Sequence, residues 1–107
     1  MNKNKVVKIS VIRIADYKDL QELYENKIEH ACSLKLNDVF YSIDGRKPSS
    51  LCGEAWKTLA PFVKKLVLGE SNFYDGWMKN PFSACLSCND GFRPVSFLIE
   101  LIKEEEK

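Results

Sequence analysis

Charge of one sign is what this sequence most lacks. Sixteen basic residues face fifteen acidic ones, leaving a formal charge of +1, so no overall field draws the chain to nucleic acid or to an anionic membrane. Histidine is nearly missing too. His30 stands alone, and one histidine is thin evidence for histidine-based catalysis. No apolar run is long enough to cross a bilayer. The start Met1-Asn-Lys-Asn-Lys5 is basic like a signal peptide, but Lys8 and Arg13 interrupt the apolar stretch behind it and no small-residue cleavage site follows. The expectation is a cytoplasmic protein with neither a membrane nor a nucleic-acid partner, in which Cys32, Cys52, Cys85 and Cys88 are free thiols or metal ligands rather than disulfides.

What is present is enough apolar material for one core. At 107 residues, 45% of them hydrophobic, the chain supports a single domain over 1–107 and is too short for two. Its clearest pattern is a hairpin over 82–101. Phe82, Ala84, Leu86 and Cys88 alternate with polar residues, as do Val95, Phe97, Ile99 and Leu101, which is the period of half-buried strands. Asn89-Asp90-Gly91 between them predicts a tight turn with positive φ, and Pro94 belongs at the mouth of a strand. Val7, Ile9 and Val11 predict an opening strand. Ile12 and Ile14 then carry the apolar phase on the other side, so a bulge shifts the register or both faces are covered.

A first helix follows, capped by Asp16, with Asp19 in its first turn and Tyr17, Leu20, Leu23 or Tyr24, and Ile28 at helical spacing. The next strand spans 39–43, with Val39, Tyr41 and Ile43 on one side and Phe40 on the other, and ends at Asp44-Gly45 before the solvated loop Arg46-Lys47-Pro48. The second helix is the strongest periodic element. Cys52, Ala55, Trp56, Leu59, Phe62, Val63, Leu66 and Val67 form one stripe, Ser50 is the expected N-cap, Gly69 the stop, and Pro61 predicts a kink or a break. The linker 70–80 holds too many aromatic residues to be disordered and should pack over one end of the core, whereas 103–107 reads as a frayed charged tail. The order is β-α-β-α-β-β. This is an α+β fold with two helices on one face of a mainly antiparallel sheet. Ile12, Ile14, Leu98 and Ile102 would lie on the other face, where an apolar surface wants a cover, either a second subunit or the aromatic linker.

The spacing Cys85-x-x-Cys88 suggests a metal knuckle, but residues three apart in a strand point to opposite faces, so these two do not form a pair. Cys52 at a helix start meets unpaired N–H groups and positive potential, suited to a ligand or a redox-active sulfur. Its bland alternative is a small hydrophobe at the head of the buried stripe. Cys32 with His30 also has the makings of a nucleophile and base, without a third group to orient them. Asp90 and Arg93 flank the hairpin turn. Either they pair with each other or hold backbone groups there, or they bind a small ligand, Arg93 gripping a carboxylate or phosphate. Trp56 belongs to the core, while Trp77 in the linker is placed to line a pocket mouth.

Taken together, Cys52-Gly-Glu-Ala55-Trp56, Pro61 and Gly69, then Cys88-Asn-Asp90-Gly91-Phe-Arg93-Pro94-Val95-Ser-Phe97, with Cys32 and Phe40 matching more loosely, resemble a family of small uncharacterised bacterial proteins common in anaerobes. The patterns are Cys-x-x-Ala-Trp and Cys-x-Asp-Gly-x-Arg-Pro-Val-x-Phe. The resemblance runs nearly end to end and leaves Cys85 outside the pattern. It implies no substrate, cofactor or catalytic residue, since no activity is established for the family. The functional expectation therefore rests on the thiols: Cys32, Cys52 and Cys88, with His30 or Asp90, converging on zinc or iron or forming a redox-sensitive site. The alternative is a non-catalytic interaction or small-ligand module with structural cysteines.

Overall fold

The structure is a computed structural model that describes residues 3–26 and 34–106. Six elements follow in the expected order: β1 (Lys3–Ile14), α1 (Lys18–Tyr24), β2 (Val39–Ile43), α2 (Gly53–Val67), β3 (Ser83–Ser87) and β4 (Val95–Glu106). The strands make one antiparallel sheet in the order β2-β1-β4-β3. The fold is α+β.

Cross-strand partners share a face, so the register assigns the two sides of the sheet. Val7, Ile9 and Val11 of β1 stand opposite Leu101, Ile99 and Phe97 of β4, and Ala84 and Leu86 of β3 continue those rows. This is the side that α2 covers, and Ala55, Leu59, Val63 and Leu66 are its buried residues. The ambiguity in β1 resolves as a bulge. The pairing slips between Val11 and Arg13 with Ile12 as the extra residue, so that Ile14 stands opposite Val95 on the α2 side rather than on the other face as expected, and both isoleucines remain about two-fifths exposed.

Several boundaries differ from the sequence expectations. Strand β2 alternates as expected, but Phe40 and Ser42 face the core, and the larger set Val39, Tyr41 and Ile43 is exposed. Alternation sets the phase of a strand, not its side. Ser42 tolerates full burial because its hydroxyl donates to the Arg46 carbonyl at 2.7 Å. Helix α2 is capped by Cys52 rather than Ser50, and it is not divided at Pro61, which faces solvent where the carbonyl it leaves unpaired can be hydrated. Gly69, at φ +92°, closes the helix as anticipated. The charged terminus, expected to fray, continues β4 to Glu106, opposite Lys3. In the linker, Phe73 enters the core and meets Phe62 edge-on at 5.3 Å, while Tyr74 and Trp77 stack edge-on outside it.

Helix α1 buries no residue, and its N-cap is Tyr17 without a side-chain cap; Ile28 lies outside the described residues. Asp16 instead accepts a hydrogen bond from Gln21 Nε2. What positions α1 is the loop between β3 and β4. Ala15 N–H donates to the Pro94 carbonyl at 2.9 Å and Tyr17 N–H to the Phe92 carbonyl at 2.8 Å.

Candidate functional site

The β3–β4 connection is a loop over 88–94, not the tight turn expected, and Gly91 is not among the residues with positive φ. Asp90 shapes it instead, by accepting the Phe92 N–H at 2.8 Å in an Asx turn. At the loop's base Cys88 and Val95 hold each other twice: Cys88 N–H donates to the Val95 carbonyl at 3.0 Å, and Val95 N–H donates to Cys88 Sγ at 3.3 Å. Pro94 sits at the strand mouth as expected.

Facing this loop is the start of α2. Cys52 has extended backbone, and its Sγ accepts the Ala55 N–H at 3.4 Å, a sulfur in the place where serine or aspartate oxygens commonly cap a helix. The buried stripe accordingly begins at Ala55, and Cys52 itself is exposed.

Between these two elements opens a cleft of about 450 Å³. Cys52, Glu54 and Ala55 line it from α2, Cys88, Asn89, Asp90 and Arg93 from the loop, and Leu34 from the segment ahead of β2. Two thiols therefore share one cavity although they are far apart in the chain. Each sulfur already accepts a backbone N–H, as do the sulfurs of many metal–thiolate sites, where such bonds orient the ligand and offset its charge.

Arg93 lines the cleft, but its guanidinium is committed elsewhere. Nη1 lies 3.0 Å from both Glu25 carboxylate oxygens, Nη2 donates to Gln21 Oε1 at 2.7 Å, and Nε lies 4.0 Å from Asp16. Of the two structural alternatives read from the sequence, Asp90 holds a backbone group, the Phe92 N–H, while Arg93 pairs not with Asp90 but with this set on α1 and its flanks. Trp77 is not in the cleft lining and stacks on Tyr74. Cys85 is exposed on β3, outside the cleft lining, in keeping with the strand argument against a Cys85–Cys88 pair. Cys32 and His30 lie outside the described residues, and among the described residues no three His, Cys, Asp or Glu side chains are grouped to hold an ion. Glu54, Leu34 and Asn89 were not among the site residues expected from the sequence. Asn89 adjoins Cys88 and Glu54 lies two residues after Cys52, which was the available signal for them.

No described helix is long and apolar enough to cross a membrane. Comparison of the chain with family models, with curated proteins and with solved structures finds no match.

Proposed function

We propose that the cleft between α2 and the β3–β4 loop is a thiol-based binding site for a soft transition metal such as zinc or iron, in a cytoplasmic protein. The observation that carries this reading is the presence of Cys52 and Cys88 in one cavity, each with a backbone N–H already directed at its sulfur. Cys52, Ala55, Cys88, Asp90 and Arg93, which carry the resemblance to the small bacterial family, all line that cavity, and kinship with that family is part of the proposal. A tetrahedral shell needs two further ligands. Cys32 and His30 are the donors proposed to complete it, and Leu34, two residues after Cys32, is on the cleft wall.

The test exploits the cap. Cys52→Ser keeps an N-capping atom and so keeps α2, but replaces a soft ligand with a weak one. Untagged protein purified without oxygen and without added metal is expected to carry near-stoichiometric zinc or iron, lost in both Cys52→Ser and Cys88→Ala while Cys52→Ser stays folded. Folded, metal-free wild-type protein would overturn the metal reading. The redox-sensitive form of the site would then be tested by whether a mild oxidant shields Cys52 and Cys88 together from alkylation.

A second reading is favoured by a separate observation. Val39, Tyr41 and Ile43 are exposed on the sheet face opposite α2, which supports an interaction module that associates through that face, with a second copy of the chain as its partner.

A further inference from the structure

The face opposite α2 is built in three registered rows. Ile43, Val6 and Ile102 form the first; Tyr41, Lys8, Glu100 and Ser83 the second; Val39, Ser10, Leu98 and Cys85 the third. An opposite-charge pair thus sits at the centre, on the two inner strands, between two rows with apolar members. Tyr41 is half exposed, and Val39 and Ile43 nearly as much.

Two closed two-fold arrangements stack this face on a second copy about an axis lying between the sheets. With the axis across the strands through the central row, Lys8 meets Lys8 of the copy and Glu100 meets Glu100, which is repulsive at the middle of the contact. With the axis along the strands, between β1 and β4, each β1 lies over the β4 of the other copy. Every row then packs on itself in reverse. Lys8 stands over the copy's Glu100 and Glu100 over its Lys8, Ser10 over Leu98, and Val39 over Cys85, while Val6 and Ser83, buried within the chain, lie beneath the contact.

Resting on the reading of this face as a docking surface, we propose that the chain forms a face-to-face homodimer about the axis along the strands, with the two Lys8–Glu100 pairs closing an alternating square of charge at its centre. The face is self-complementary under that operation, which is what selects a second copy as its occupant.

Sedimentation equilibrium of the full chain under reducing conditions tests this with wild type, Lys8→Glu, Glu100→Lys, the double swap of both, and Tyr41→Glu, each checked for fold by circular dichroism. Wild type is expected to dimerise reversibly. Each single charge swap places like charges over each other twice and should weaken the dimer by about tenfold or more, and the double swap should restore it to within about threefold. Tyr41→Glu should also dissociate it. A wild-type chain that stays monomeric to about 1 mM overturns both the docking surface and the arrangement. A dimer broken by Tyr41→Glu yet unmoved by the single swaps overturns the arrangement alone. A dimer indifferent to all the variants places the contact elsewhere and overturns both.

Discussion

Arg93 Nη1 lies 3.0 Å from both carboxylate oxygens of Glu25, so a residue of the β3–β4 loop holds the C-terminal end of α1. A helix as short as α1, with nothing buried, has little stability of its own. The clamp and the two backbone bonds from Ala15 and Tyr17 hold it in place. Arg93→Lys replaces a planar fork with a single ammonium that cannot serve Glu25 and Gln21 at once. Both partners are partly exposed, which moderates the effect. The expected loss is about 1 kcal/mol for Lys and about 2 kcal/mol for Ala. Thermal unfolding measures it, and hydrogen exchange should show residues 18–25 opening faster while α2 is nearly unchanged. Unaltered exchange in α1 would mean that something else holds it.

Cys88 is tested apart from any metal. Val95 is buried and its N–H donates to Cys88 Sγ, so Cys88→Ala leaves that donor without its acceptor at the base of the loop. The expected cost is about 1 to 2 kcal/mol. Cys88→Ser offers an oxygen and should recover part of it, read in urea denaturation of metal-free protein. Equal stability of the Ala and Ser variants would show that the N–H to sulfur bond contributes nothing.

Periodicity is local, and what depends on it was legible. The stripe Ala55, Leu59, Val63, Leu66 and the alternation of Phe97 and Ile99 announced α2 and β4 without knowledge of their partners. The side of β2 was not legible, because Phe40 and Ser42 against Val39, Tyr41 and Ile43 gives a phase that only the neighbouring strands convert into inside and outside. The α2 cap moved from Ser50 to Cys52 because Leu51 is drawn into the core, 2% exposed, and carries the chain past Ser50 before the helix begins. Arg93 found Glu25 at a separation of 68 residues, beyond any local rule. At the cleft, the two motif cysteines were legible as helix start and strand end. Their meeting in one cavity is a product of the sheet order, which places β3 and β4 under the same helix.

The glycines at the two ends of α2, Gly53 inside its start and Gly69 just beyond its end, should answer replacement by alanine in opposite directions. Gly69 holds φ +92° with open space around its Cα, so Gly69→Ala meets no clash and its expected cost, about 1 kcal/mol, is conformational. Gly53 opens the helix without a positive φ and also has room for a Cβ. Gly53→Ala should stabilise the fold by about 0.5 kcal/mol, by narrowing the unfolded chain and favouring the helix. Melting temperatures shifted in the same direction by both variants would contradict this account of the helix ends.

Thr58 presents the opposite problem, a buried group with nothing to bind. Among the described residues its Oγ1 is the buried side-chain oxygen or nitrogen without a hydrogen-bond partner. A hydroxyl taken out of water and left unpaired costs stability, whereas a methyl in its place does not. Thr58→Val keeps the β-branched shape and has a comparable helix propensity, so the hydroxyl is the main difference between the two. The expected gain is about 1 kcal/mol in chemical denaturation. Thr58→Ser retains the unpaired oxygen and removes the packed methyl, so it should lose about 1 kcal/mol. The opposite ordering, with Ser more stable than Val, would mean that the hydroxyl does have a partner in solution, and that a water molecule reaches this side of α2.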